Sequence, residues 1–131
     1  PSILVVGLGN YTHPCTRHSV GQSVVESLAA RLGINLKDDR STILDGHVKP
    51  IHVNLVLVKP RLLMNVSGKS VALAFKAHIQ PKDLSRVIVI HDSLSHKPLS
   101  VHPRLGGQLM ATTVSQMSFR IFRALHFIAC V

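Results

Sequence analysis

A histidine and an aspartate, far apart in the chain, are the residues best suited to acid–base chemistry. His18 lies between a tight turn and the first predicted helix, and an ordinary pKa of about 6.5 makes histidine the usual general base near neutral pH. Asp92 ends an apolar stretch, where an unpaired carboxylate is costly. A carboxylate that orients a histidine fixes the tautomer of a catalytic base, so we predict a His–Asp couple. The alternative is a surface histidine and an aspartate that caps a turn.

Two asparagines offer amide groups that could bind a substrate. Asn10 follows the first predicted strand, and Asn65 opens a predicted helix. An amide both donates and accepts hydrogen bonds, so it can hold a peptide carbonyl group or a developing oxyanion. The alternatives are that Asn10 shapes a turn and Asn65 only caps its helix. Lys69, one turn into that helix, can reach a phosphate near the helix start or remain solvated.

Other catalytic and binding motifs are incomplete in this sequence. No serine lies in a Gly-x-Ser-x-Gly elbow, and residues 67–70 (SGKS) lack the first glycine of a phosphate-binding P-loop. Gly7 and Gly9 are followed by Thr12 where a dinucleotide-binding motif needs a third glycine. None of the nine histidines has metal-ligand spacing with a cysteine or a carboxylate. We therefore expect neither a dinucleotide nor a bound metal ion.

The elements that must position these residues alternate along the chain. Apolar runs predict strands over residues 3–6, 52–58 and 87–90, and residues 43–48 also resemble a strand. Helical periodicity predicts helices over 19–32 and 65–76. The polar stretch over 38–41 is predicted to be a loop. This alternation predicts one α/β domain with a twisted, mostly parallel mixed sheet flanked by helices. Function in such sheets gathers at the carboxyl ends of the strands, so we expect Asn10, Asn65 and Asp92 to share one crevice.

The two predicted helices each carry apolar residues, and those of the first share one face. The first stripe comprises Val20, Val24, Val25, Leu28 and Leu32. Gly33 follows it at the position where a helix commonly ends in a left-handed residue. The apolar residues of the second helix are Val66, Val71, Leu73 and Phe75. We expect these residues to supply the apolar surface of each helix.

Amino-acid composition further limits the number of domains, the kind of partner and the compartment. The 131 residues suit one compact domain, and 46% hydrophobic residues can fill its core. Fifteen lysines and arginines against six acidic residues give a net charge of +9, which favours a polyanionic partner. Cys15 and Cys130 are too few for a disulfide framework, so a reducing compartment is expected. No apolar run reaches the length of about 20 residues that spans a bilayer.

Four short motifs resemble the bacterial-type peptidyl-tRNA hydrolase family in order and spacing. They are residues 6–10 (VGLGN), 16–21 (TRHSVG), 64–68 (MNVSG) and 89–92 (VIHD). The resemblance covers residues 3–107, most of the chain. It implies an esterase that cleaves the bond between a peptide and the 3′-terminal ribose of tRNA.

The resemblance also implies roles for single residues. His18 corresponds to the catalytic base and Asp92 to its supporting carboxylate, while Asn10, Asn65 and Met64 correspond to substrate-binding positions. Neither a metal ion nor an organic cofactor is implied. The implied partner is peptidyl-tRNA, gripped mainly through its phosphates by a monomer that makes no membrane contact. The basic residues that we assign to these phosphates are Arg17, Lys69, Lys97 and Arg104. The expected compartment is the cytoplasm, or the mitochondrion if a leader precedes Pro1.

After Gly107 the sequence departs from this family, which continues with a Gly-His-Asn-Gly segment, a strand and a C-terminal helix. Codons can be chosen for residues 108–119 so that the frame two bases later encodes the family segment. We therefore interpret residues 108–131 as a shifted or alternatively spliced reading frame. This predicts an incomplete hydrolase-like domain over 1–107 and a divergent apolar and basic tail over 108–131, able to form an amphipathic helix. The alternatives to an active hydrolase are a non-catalytic tRNA- or RNA-binding member of the same fold and an inactive truncated product.

Overall fold

The computed structural model describes residues 1–40, 43–48, 53–63, 66–81, 83–92, 100–105 and 125–130. Its strands are β1 (Ser2–Gly7), β2 (Lys37–Arg40), β3 (Ile43–Val48), β4 (Asn54–Pro60), β5 (Val87–His91), β6 (Ser100–Leu105) and β7 (Leu125–Cys130). Its helices are α1 (Val20–Arg31) and α2 (Gly68–His78), with short 3₁₀ turns at Arg17–Ser19 and Leu84–Arg86. No helix in these ranges is long and apolar enough to cross a membrane.

The strands form one seven-stranded mixed sheet in the order β2-β3-β4-β1-β5-β7-β6. The central strands β4, β1, β5 and β7 run parallel to their neighbours within this group. The outer pairs β2–β3, β3–β4 and β6–β7 are antiparallel. The predicted α/β class with a mixed sheet around a parallel centre is therefore confirmed.

The central strands are apolar on both faces because a helix covers each face. Alternate residues of a strand point to opposite sides, and β1 accordingly supplies two separate cores. Leu4 and Val6 pack with Val71 and Phe75 of α2. Val5 packs on the other side with residues of α1 and with neighbouring strands, namely Val25, Ala29, Leu57 and Ile90. The carboxyl edge of the sheet thus lies between two helices that are held on opposite faces.

For α1, the predicted boundaries agree with the structure better than the predicted buried residues do. Gly33 has a φ of +66°, the left-handed conformation predicted for the residue after α1. The predicted stripe of α1 is wrong at Val24 and Leu32, which are 36% and 40% exposed. The buried residues of α1 are the predicted Val20 and Val25, together with Gly21, Gln22 and Ala29. Small residues at two of these positions let the helix approach the sheet closely.

The second helix begins later than the sequence predicts. α2 starts at Gly68 with Ser67 in the N-cap position, and Asn65, the predicted cap, lies outside the described residues. Val66 and Leu73, which we expected to supply apolar surface, are 52% and 41% exposed. The helix packs through the remaining predicted residues and two small ones, namely Val71, Phe75, Ser70 and Ala74.

Two further expectations about secondary structure are corrected. The predicted loop over 38–41 is wrong for residues 38–40, which belong to β2 and pair antiparallel with β3 despite an irregular register. A strand also forms from residues 125–130 of the tail, where we predicted that the family's C-terminal strand is missing and noted that the tail is able to form an amphipathic helix. β7 lies between β5 and β6, so it satisfies the backbone groups that β5 would otherwise expose at a sheet edge. The tail residues 108–124 lie outside the described ranges, and the division at residue 107 stays a prediction.

Candidate active site

The structure brings His18 and Asp92 into direct contact. The imidazole Nδ1 of His18 lies 2.7 Å from the carboxylate Oδ2 of Asp92, although 74 positions separate the residues in sequence. The Asp92 side chain is 3% exposed and the His18 side chain 49% exposed. A carboxylate only accepts hydrogen bonds, so Nδ1 donates and the neutral ring presents Nε2 as its proton acceptor. The half-exposed ring lets water reach that nitrogen.

Close approach of α1 to two strand ends creates this contact. His18 lies in the 3₁₀ turn that leads into α1, and Asp92 directly follows β5. The backbone N–H of Leu8, just after β1, donates to the carbonyl oxygen of Ile90 at 2.8 Å. A Cβ atom at Gly21 would lie 2.2 Å from that same carbonyl oxygen. Only glycine therefore allows the first turn of α1 to come near enough for His18 to meet Asp92.

Ser19 organises the loop between Asn10 and His18. It is fully buried, and its hydroxyl oxygen accepts a hydrogen bond from the backbone N–H of Asn10 at 3.2 Å. The same hydroxyl group donates to the carbonyl oxygen of His13 at 2.6 Å, with the carbonyl oxygen of Asn10 at 3.0 Å as a second acceptor. Sequence patterns did not indicate this role for Ser19. Its position beside a helix start is typical of a cap, yet it bonds the preceding loop and makes no side-chain cap bond to α1.

A cluster of charged and aromatic side chains lies where β4 ends. The Lys59 side chain is 9% exposed and pairs with the carboxylate of Glu26 in α1. The Tyr11 ring centre lies 5.0 Å from Lys59 Nζ and 5.3 Å from the guanidinium carbon of Arg61. These distances allow cation–π attraction. Sequence reasoning missed this cluster, whose one available signal was a glutamate among only six acidic residues.

His91 is a second histidine beside the couple, and it is buried. Its Nδ1 donates to the backbone carbonyl oxygen of Asp92 at 2.6 Å. Burial lowers the pKa of His91, and the hydrogen bond and the charge of Asp92 only partly oppose that effect. His91 is therefore neutral near pH 7, and its Nδ1 proton is directed to the backbone of Asp92 and not to the carboxylate.

The structure describes some of the other predicted site residues and not others. The half-buried Asn10 follows β1 at the carboxyl edge, and the exposed Arg17 immediately precedes His18. Lys69 is exposed in the first turn of α2. Arg104 lies in β6, and its side chain is outside the description. The predicted substrate contacts Met64 and Asn65 and the predicted phosphate contact Lys97 lie outside the described residues.

Among the described residues, no three histidine, cysteine or carboxylate side chains gather in a way that could hold a metal ion. The contact between His18 and Asp92 makes proton transfer by an oriented imidazole available at this position. Its position, at the carboxyl edge of parallel strands, is where α/β sheets commonly bind their ligands.

Comparisons with known proteins give a consistent result. The family model described as "Peptidyl-tRNA hydrolase" matches residues 4–112. The probable peptidyl-tRNA hydrolase of Mus musculus is 43% identical over 108 residues, covering 79% of this chain and 52% of that protein. The peptidyl-tRNA hydrolase of Syntrophomonas wolfei is 37% identical over 108 residues, covering 79% of this chain and 57% of that protein.

Solved structures agree with the sequence relatives. The crystal structure of peptidyl-tRNA hydrolase from Acinetobacter baumannii superposes with a TM-score of 0.85 at 27% identity, covering 98% of this chain and 69% of that one. The chain spans about half the length of the curated relatives it matches. By its family match, its relatives and its fold, the chain belongs to the peptidyl-tRNA hydrolase family.

Proposed function

We propose that this chain hydrolyses the ester bond between a peptide and the 3′-terminal ribose of tRNA. The observation that carries the proposal is the 2.7 Å contact between His18 Nδ1 and Asp92 Oδ2 in a chain of this family. The contact lies at the carboxyl edge of the sheet, and the relatives are named for this activity. The net charge of +9 suits a substrate that is a polyanion.

The geometry supports a general-base mechanism. Nε2 of His18 accepts a proton from a water molecule as that water attacks the ester carbonyl carbon. The carbonyl oxygen becomes an oxyanion in the tetrahedral intermediate. Collapse of the intermediate breaks the bond to the ribose oxygen, which takes the proton back from the imidazolium. Asp92 holds the ring orientation and stabilises the imidazolium while it exists. The products are a free peptide and tRNA with its 3′-terminal hydroxyl group restored.

The remaining predicted residues complete the proposal. Asn10 and Asn65, with Met64, hold the peptide end so that the ester carbonyl meets the attacking water. The hydrogen bonds of Ser19 support this role for Asn10, because they fix its backbone on the loop that leads to His18. The basic residues proposed to contact tRNA phosphates are Arg17, Lys69, Lys97 and Arg104. Phosphate contacts position a nucleic acid without reading its sequence.

The test compares His18→Ala with the parent chain on an N-acetylated aminoacyl-tRNA. We expect kcat to fall by roughly 10²–10⁴-fold because the general base is removed. The Kd for uncharged tRNA should stay within about twofold of the parent, and binding should weaken between 50 and 200 mM salt for both proteins, since phosphate contacts release counterions.

The matched control is His13→Ala. His13 is exposed in the same loop, and its ring contacts the hydroxyl group of Thr12 at 2.8 Å. This variant should keep the parent kcat. Full turnover by the His18→Ala variant would remove His18 from the mechanism. A parent chain that binds tRNA without turnover would instead establish the non-catalytic, RNA-binding alternative.

A further inference from the structure

Gln22 is a buried polar side chain that the mechanism above does not use. It lies in the first turn of α1 and is 2% exposed. Its side-chain nitrogen donates to the carbonyl oxygen of Gly9 at 3.1 Å and to that of Pro60 at 2.8 Å. A primary amide has two N–H donors, so both are used. A buried amide without these bonds would be unfavourable, which indicates that the position is specific.

The two carbonyl groups lie beyond the paired part of β1 and β4. The last residues paired in this parallel ladder are Val6 and Val58. Past these residues, the segment after β1 continues through Gly9 to Asn10. The segment at the end of β4 continues through Pro60 towards residues 64 and 65 in the sequence. Gln22 therefore joins the two segments that carry the proposed substrate-binding asparagines, at a point where the sheet no longer joins them.

A second contact of α1 reaches the same two segments. Glu26 lies four residues after Gln22 and so on the same side of the helix, and its carboxylate pairs with Lys59. The ammonium group of Lys59 lies 5.0 Å from the ring centre of Tyr11, which follows Asn10. Two successive turns of α1, the helix that begins just after His18, thus contact both segments.

The loop that carries Asn10 also packs directly on the start of α1. A Cβ atom at Gly9 would lie 2.7 Å from the Cα atom of Ser19 and 3.0 Å from the Cγ atom of Gln22. The backbone of Gly9, next to Asn10, therefore lies closely against both the turn that holds His18 and the side chain of Gln22.

We propose that Gln22 is a positioning residue, which sets the distance between the general base His18 and the substrate-binding residue Asn10 through its two hydrogen bonds. The kinetic part of this inference rests on the proposed hydrolase function, whereas its geometric part does not. Gln22 acts through backbone carbonyl groups and has no direct role in proton transfer.

The test is Gln22→Met, which keeps the length and the apolar stem of the side chain and removes both donors. The matched control is Asn54→Leu. Asn54 donates to the hydroxyl group of Ser2 at 3.3 Å and so joins β1 and β4 at the opposite, amino end of the sheet. Both variants lose a polar link between the same two strands, and both should lower Tm.

Only Gln22→Met should change the site. We expect its kcat to fall by about 10²-fold at constant tRNA Kd, the size of effect that a misplacement of about 1 Å produces. Asn54→Leu should retain the parent kcat. Amide hydrogen exchange at Asn10, whose N–H donates to Ser19, should become faster in Gln22→Met and remain unchanged in Asn54→Leu.

The exchange measurement separates the two proposals. If the parent chain shows no hydrolysis, the proposed function fails, but faster exchange at Asn10 in Gln22→Met alone still supports the positioning role. Parent-like exchange at Asn10 in Gln22→Met, or equal kcat losses in both variants, would overturn that role.

Discussion

In the proposed mechanism, His18 and Asp92 act as a unit. The Asp92 side chain is 3% exposed and touches the ring through Nδ1, so its proposed effect on a substrate passes through the imidazole. An ordinary histidine without such a partner can still accept a proton, but its ring is free to rotate and to adopt the other tautomer. The buried carboxylate removes both freedoms.

Residue types in the sequence suggested the pair of His18 and Asp92. They did not suggest the residues that position this pair. A histidine near a turn and an acidic residue after an apolar strand can be recognised in one dimension. Ser19, Gln22 and the Glu26–Lys59 pair could not be recognised, because their partners are backbone carbonyl groups or a charge on another element. A glutamine in the first turn of a helix is ordinarily solvated, and only the approach of two strand ends makes this one buried.

Stability should depend on pH through His91. Burial lowers the pKa of this residue in the folded chain, while in the unfolded chain the pKa has its ordinary value of about 6.5. The unfolded chain therefore binds a proton more readily. His91 then favours the folded state fully above pH 6.5, and this contribution is lost as the pH falls towards the folded pKa.

The measurement is Tm between pH 8 and pH 5 for the parent, for His91→Gln and for His13→Gln, which removes an exposed histidine. One proton changes the free energy of unfolding by at most about 1.4 kcal/mol per pH unit. His91→Gln should show a shallower decrease than the parent, and His13→Gln should follow the parent. Identical slopes in all three proteins would be inconsistent with a buried, neutral His91.

At the scale of elements, the sequence predicted four of the seven described strands and both described helices, because local patterns determine them. Apolar runs indicated β1, β4 and β5 to within a few residues, and the strand predicted over 43–48 matches β3. The prediction of which helix residues are buried was less accurate, since an apolar stripe does not reveal how closely a helix packs. α1 buries Gly21, Gln22 and Ala29 where larger apolar residues were expected. The polar residues of β2 have no apolar pattern, and the strand forms because β3 offers it an edge.

The element contact that matters most for the site is that of α1 with the ends of β1 and β5. Gly21→Ala should weaken it, because a Cβ atom would lie 2.2 Å from the carbonyl oxygen of Ile90 and 2.5 Å from that of Leu8. Both neighbours are backbone atoms, so the helix itself must move. We expect a loss of about 1–3 kcal/mol in the free energy of unfolding, together with a loss of kcat in the folded protein.

Gly33→Ala is the control for this prediction. Gly33 has a φ of +66°, and a Cβ atom there would meet no neighbouring atom within 4 Å, so alanine costs about 1–2 kcal/mol through its backbone alone. Denaturant unfolding and kcat, measured on both variants, separate the two effects. Retention of the parent kcat by Gly21→Ala would show that the close approach of α1 does not position His18.

At the scale of the whole molecule, the chain combines a parallel sheet centre, a basic surface charge and a short length. The net charge of +9 acts at long range on any polyanion, whereas the couple acts only at contact. The chain spans about half the length of its curated relatives, yet β7 completes a seven-stranded sheet from residues of the tail. Sequence patterns could not reveal this pairing, because it joins segments more than thirty positions apart along the chain.

The central claim is that His18 and Asp92 form one catalytic unit, and a double-mutant cycle on kcat tests it most directly. The proteins are the parent, His18→Ala, Asp92→Asn and the double variant, assayed on N-acetylated aminoacyl-tRNA at equal folded concentration and fixed salt. Each single change should lower kcat by roughly 10²–10⁴-fold. Because Asp92 works through the ring of His18, the double variant should be no slower than His18→Ala alone. Losses that multiply in the double variant would show that the two residues act independently, and would contradict the claim that they form one unit.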